Sequence, residues 1–255
     1  VSAGTDGVVE DNKKGDVAVK NLTRAMTLLD NTIDKCFKGS DLHMCDLYHL
    51  GNGRQEGTAD VWPYTAAMEA VNGVMEALQT LKGNCPELYA KNMERYKCLM
   101  ARLFDNLDYY KGTYTLTSYT QTKEWSVYGV HRSNTKGTAK VEGIENVYDD
   151  QMWLVRELVR AYRNTGEKRY LVEAEYLADY VIDGWDCTLD ADGHENGGIT
   201  WGPGYNSKHS CSNAPIISPL VWLSQIYKDS KDKAVWRYVA ADGKRKSKKI
   251  SKHDL

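Results

Sequence analysis

Two aspartates stand side by side at Asp149 and Asp150, and Trp153 follows three residues after the second. Two carboxyl groups held this close can divide acid–base labour. Like charges do not ionise with equal ease, so one group stays anionic while the pKa of its partner rises. Glycosidic-bond cleavage needs that division. In retaining glycosidases the two carboxyl groups lie about 5–5.5 Å apart, and neighbouring residues start about 3.8 Å apart at Cα. A plainer reading fits the same residues. The run that follows is helical in period, acids in a first turn sit well against free N–H groups, and Asn146 is placed to cap the helix. Spacing alone leaves both readings open.

Other chemistry-bearing groups are weaker. His43, Cys45 and His49 with Cys36 match no common zinc module. Asp190-Ala191-Asp192-Gly193 resembles a piece of a calcium loop but lacks the third acid and the closing glutamate, so a turn is expected there. The six cysteines, Cys36, Cys45, Cys85, Cys98, Cys187 and Cys211, have no C-x-x-C pair, and three disulfides would allow 15 pairings. Cys98 falls inside a helical pattern and is expected as a buried thiol.

The elements that must position these groups are mainly helices. Val17, Val19, Leu22, Met26, Leu29 and Ile33 step by three and four over about 16–37. Pro63 suits the first turn of a second helix, which stops at Gly83, and Pro86 opens a third. Gly112–Val130 alternates in a period of two and predicts a hairpin. Further helices are predicted over about 147–164, 168–182 and 212–227. The long stretch 183–208, rich in Gly, Asp and Asn, is a loop of the kind that carries function.

The chain has 255 residues, enough for one large domain or two small ones. Its 33 basic and 35 acidic residues nearly balance, which gives no reason to expect nucleic acid or an anionic membrane as partner. The basic run 243–252 lacks interleaved aromatics and is expected as a solvated loop. Tyr (17) and Trp (7) far outnumber Phe (2), and such polar-tipped rings suit half-wet grooves as well as cores. No apolar run reaches the about 20 residues of a membrane span. The start Val1–Gly7 lacks Met and a hydrophobic signal region and reads as a trimmed terminus.

Taken in order, Asp60-Val61-Trp62-Pro63, Tyr148-Asp149-Asp150-Gln151-Met152-Trp153, Thr165-Gly166-Glu167 with Tyr170-Leu171, and Gly197-Gly198-Ile199-Thr200-Trp201 with Lys208 and Asn213 resemble glycoside hydrolase family 76. That is a family of endo-acting α-1,6-mannanases and related fungal wall enzymes, and the wording of 197–223 is most similar to members from Bacteroides-type gut bacteria. The resemblance implies an all-α fold, an (α/α)6 barrel or toroid of paired helices. It implies one catalytic domain over 1–255, with a hairpin insertion at about 112–145 and an irregular or incomplete end at 235–255. It covers only the first half to two-thirds of a family domain, so a C-terminally truncated member is expected.

The resemblance also implies Asp149 as nucleophile and Asp150 as general acid/base in a retaining mechanism on mannan or manno-oligosaccharides, without metal or cofactor. Asp60, Trp62, Tyr148, Trp153, Gly197, Gly198, Trp201, Lys208 and Asn213 match substrate-binding positions. For the tryptophans, packing is the competing reading; for the glycines, an ordinary turn; for Lys208 and Asn213, an exposed-loop role. An exported monomer is expected. The rival readings are a glycan-binding protein without turnover and another α/α-toroid hydrolase, such as an unsaturated glucuronyl hydrolase.

Overall fold

Helical periodicity and its interruptions account for most of the architecture. The computed structural model describes residues 6–255, with side chains from residue 15 onward; residues 1–5, within the start read above as trimmed, lie outside the described residues. In chain order come α1 (Asp6–Cys36), β1 (Phe37–Lys38), β2 (His43–Met44), β3 (Leu47–His49), β4 (Arg54–Glu56), α2 (Val61–Thr80) and α3 (Pro86–Leu107). They are followed by β5 (Lys111–Thr117), β6 (Thr122–Tyr128), α4 (Tyr148–Thr165), α5 (Lys168–Asp183), α6 (Ile217–Ile226), β7 (Lys233–Val239) and β8 (Arg245–Ser251). The chain is therefore mostly helical with small hairpins, as expected for its class. Among the described residues the strands pair as β1–β2, β3–β4, β5–β6 and β7–β8, each antiparallel.

The chain divides into two compact units, residues 1–59 with 66–106, and residues 60–65 with 107–255. In the first, the buried residues are Leu22, Met26 and Leu29 on α1, Met68, Val71 and Met75 on α2, and Met93, Tyr96 and Leu103 on α3, whereas Val17 of the stripe predicted for α1 is exposed. Arg95 and Tyr96 of α3 both donate to the Asp30 carboxylate of α1, at 2.9 and 3.0 Å. Cys98 departs from expectation. It is exposed, because the buried face of α3 passes through Tyr96 and Met100 instead.

In the second unit, α4 and α5 pack as a helical pair joined at Gly166, which closes α4 in the left-handed region (φ 76°) that glycine adopts freely. Hairpin β5–β6 places Trp125 in full burial, its ring 5.5 Å from Tyr176 and 5.2 Å from Tyr180 of α5. Aromatic pairs at this separation add about 0.5–1.5 kcal/mol beyond the area they bury. Within the stretch read above as an irregular end (235–255) and a solvated basic loop (243–252), β7 and β8 pair in a seven-rung ladder, with Trp236 opposite Lys248 and Tyr238 opposite Lys246. The lysines of β8 stand outward on an exposed edge, where charge discourages pairing with another strand. No helix among the described residues is long and apolar enough to cross a membrane.

Candidate active site

The start of α4 is held by its neighbours. Its N-cap residue, Val147, provides no side-chain cap. The Tyr148 N–H donates to the Trp201 carbonyl at 2.7 Å, so the loop after α5 satisfies one of the N–H groups of the first turn that have no partner within the helix. Asn146, expected as the cap, lies one residue before the N-cap position; it is buried and its amide donates to the Val141 carbonyl at 3.1 Å. One turn in, buried Gln151 accepts from the Tyr128 N–H (3.2 Å) and donates to the Tyr128 carbonyl (2.6 Å), fixing α4 to the end of β6. Gly202 lies so close to this helix start that a Cβ there would meet the Asn146 carbonyl oxygen at 2.2 Å.

Asp149 and Asp150 occupy the first turn, both half-buried, and Asp149 Oδ1 accepts from the Asp150 N–H at 3.2 Å. Burial, then the charge of Asp149, then that of Asp60, push the Asp150 carboxyl from 3.8 up to about 7. Asp60 is itself paired with His131, Nδ1 to Oδ1 at 2.7 Å, and the other ring nitrogen of His131 lies 3.7 Å from Glu145. The result is a cluster of carboxylates with one imidazole, in which one acid keeps its proton to near neutrality. Such a group can donate a proton at the pH where enzymes operate. Cys211 stands with its thiol within hydrogen-bonding reach of Asp149, and burial followed by the Asp149 charge pushes that thiol up. Sequence reading did not single out His131, Glu145 or Cys211. Asp60 and His131 are 71 residues apart, and no local spacing announces such a pair.

Tyr148 is buried, packs at 5.1 Å on Tyr180, and leaves no room for a side chain at position 184, where a Cβ would come 2.6 Å from its ring. Burial raises its phenol far above the usual range. It also lines a groove of about 490 Å³ with Tyr119, Asp183, Asp186, Tyr205 and Lys208. Neither Asp149 nor Asp150 lines that groove.

The loop residues divide by task. Gly197 and Gly198 both hold positive φ (65° and 73°), the conformation that glycine tolerates and other residues resist. Lys208 Nζ donates to Asp186 Oδ2 and to the Gly197 carbonyl, both at 2.6 Å. Burial acts to raise Asp186, but hydrogen bonds from Lys208 and Thr188 and the Lys208 charge outweigh it and leave the carboxyl below its ordinary value. The Asn213 amide accepts from the Ile199 N–H and donates to the carbonyls of Ile199 and His209. Lys208 and Asn213 therefore hold the loop in shape. Trp62 is 57% exposed, Trp153 lies under the Arg156 guanidinium at 4.9 Å, and Trp201 packs on Tyr205 and His209 at 4.7 and 5.4 Å. Asp190, Asp192 and His194 bring ligand atoms within 4.8 Å of one another. They are exposed, and Asp190 Oδ1 accepts from the N–H groups of Asp192 and His194 at 2.9 Å each, the turn expected there.

The sequence model of glycosyl hydrolase family 76 matches residues 65–241. The chain belongs to this family. Among solved structures, a family 76 mannosidase from Bacteroides thetaiotaomicron VPI-5482 superposes with a TM-score of 0.55 at 22% identity, covering 83% of this chain and 49% of that one. A family 76 glycoside hydrolase from a bovine B. thetaiotaomicron strain gives 0.52 at 22% identity, covering 83% and 39%. A family 76 α-mannanase from B. thetaiotaomicron gives 0.55 at 17% identity, covering 84% and 51%. These likenesses show the fold, and this family 76 chain spans about half the length of the structures it matches or less. No curated protein matches it.

Proposed function

We propose that this family 76 chain carries the catalytic carboxylates of a retaining hydrolase that cleaves α-1,6-mannosidic linkages, with Asp149 as nucleophile and Asp150 as general acid/base. One observation carries the assignment of roles. Of two adjacent acids in the first turn of α4, Asp150 retains its proton to about pH 7 because it is half-buried beside the charges of Asp149 and Asp60. Family membership supports the reaction class. The mannosidase and the α-mannanase among the structural neighbours support mannose as the sugar, and the ordered motifs support the α-1,6 linkage. The reading treats the chain as part of one catalytic domain in an exported protein.

In the first step the Asp149 carboxylate attacks the anomeric carbon while Asp150 gives its proton to the glycosidic oxygen. The bond between that carbon and oxygen breaks, leaving a glycosyl ester on Asp149. Asp150, now a carboxylate, takes a proton from water as the water oxygen attacks the same carbon. Asp149 is freed and the configuration is retained. Asp60 supports the high proton affinity of Asp150, and His131 holds Asp60 in place.

The test is release of reducing ends from α-1,6-mannan by the chain, beside Asp149→Asn and Asp150→Asn. Both variants are expected to lose at least about a thousandfold in kcat, as removal of one member of a covalent constellation does. kcat/KM of the parent chain should fall as pH rises through about 7, where Asp150 loses its proton. Turnover that survives Asp149→Asn defeats the assignment. Mannan retained on an affinity gel without any turnover would establish the binding-protein reading.

A further inference from the structure

The first unit carries a cysteine pair that lies outside the carboxylate site. α1 ends at Cys36, the chain turns through 39–42, and β2 runs back into Cys45. The ladder pairs Lys38 with His43 and Phe37 with Met44, so its next rung sets Cys36 opposite Cys45. That rung is formed, because the Cys45 N–H donates to the Cys36 carbonyl at 2.8 Å. Residues opposite each other on an antiparallel rung have Cα atoms about 4.5–5.5 Å apart, within the about 4.4–6.8 Å that a disulfide spans. Their side chains leave the ladder on the same face. Cys36 is partly exposed, whereas Cys45 is 4% exposed. The other two cysteines of this unit sit elsewhere, Cys85 ahead of α3 and Cys98 on its outer face.

We propose that Cys36 and Cys45 form a disulfide by exchange with a small-molecule or protein disulfide donor. The more accessible Cys36 thiolate attacks a donor sulfur, the donor S–S bond breaks, and one donor thiolate leaves and is protonated. The Cys45 thiolate then attacks the Cys36 sulfur of the mixed disulfide and expels the second donor thiolate. Overall, two protein thiols are oxidised and one donor disulfide is reduced to two thiols.

Two further features fit this chemistry. The Cys36 thiol lies within hydrogen-bonding reach of Cys45. Burial and that neighbour raise it, while the adjacent Lys35 charge acts in the opposite direction. β2 is also tied to the end of the unit's first segment, since Met44 accepts from the Ala59 N–H at 3.0 Å. A cross-link at this rung would fasten the end of α1 and the strand that receives Ala59 into one piece. Closing so short a loop disfavours the unfolded chain by a factor of about a hundred on chain-entropy grounds.

The test uses the full chain, reduced and then incubated with glutathione disulfide, with remaining thiols alkylated and the peptides mapped by mass spectrometry. The expected product carries one bond joining the Cys36 and Cys45 peptides, and its unfolding midpoint in denaturant lies above that of the reduced chain. Cys45→Ser should leave Cys36 as a glutathione adduct, trapped because nothing resolves it. Alkylation of all six cysteines after oxidation would overturn the proposal, as would a bond joining any other pair. The comparison of oxidised with reduced parent chain needs no variant, so a folding defect in Cys45→Ser leaves the test intact.

Discussion

Asp150→Asn should stabilise the chain, and by an amount that depends on pH. The folded protein holds the Asp150 proton to about pH 7, against 3.8 for an ordinary aspartate. Each factor of ten in proton affinity corresponds to about 1.4 kcal/mol, so keeping the anion in place costs the fold about 4 kcal/mol. Asp150 is only half-buried, and solvent screening brings the expected figure to about 2–4 kcal/mol. The sign follows from proton counting. Below about pH 4 folded and unfolded chains both bind the proton, and the penalty is absent. Between about 4 and 7 the unfolded chain releases it while the folded chain holds it, so stability falls as pH rises. Above about 7 the loss is complete. Asparagine cannot ionise and escapes this penalty. Urea unfolding followed by far-ultraviolet circular dichroism, at pH 4 and pH 8, therefore should show the variant close to the parent in acid and more stable than it by about 2–4 kcal/mol at pH 8. An equal effect at the two pH values would refute the reasoning, because Asp150 would then not be the group that titrates. A gain in stability with loss of turnover would show a catalytic group kept at the expense of the fold.

Other substitutions test the elements that hold the site. Gly202→Ala should push the loop away from the start of α4, since its Cβ would meet the Asn146 carbonyl oxygen at 2.2 Å; a loss of about 1–3 kcal/mol in thermal unfolding is expected. Gln151→Leu removes both partners of the buried Tyr128 backbone and should cost about 2–4 kcal/mol, measured as a shift in denaturant midpoint. Lys208→Met leaves Asp186 and the Gly197 carbonyl without their 2.6 Å donor, so limited proteolysis should cut faster within 184–209 than in the parent while α4 stays protected.

How much of this was legible in the sequence depended on the length of each pattern. The stripes of α1, α3 and α4 run for several turns, and a 3.6-residue period over that distance is hard to mistake. The β5–β6 hairpin was legible for the same reason in a period of two, with seven residues on each side. The two- and three-residue strands β1 to β4 are too short to show any period. β8 was hidden by its lysines, which look like solvated coil until Trp236 and Tyr238 are seen across from Lys248 and Lys246. At the site, adjacency made Asp149 and Asp150 visible. What raises the Asp150 carboxyl was not visible, because burial and Asp60 belong to tertiary structure. Asn146 read as a cap because the residue type allows it; the loop carbonyl of Trp201, which meets the α4 start, lies more than fifty residues along the chain.

The division into two units has a spectroscopic consequence. All seven tryptophans, Trp62, Trp125, Trp153, Trp185, Trp201, Trp222 and Trp236, fall in the unit formed by residues 60–65 and 107–255. Indole emission therefore reports on that unit alone, and the unit containing Cys36 and Cys45 is dark to it. Circular dichroism sees the helices of both. Denaturation curves that coincide by the two signals would mean that the units melt as one cooperative body; curves that separate would let each be followed by its own light.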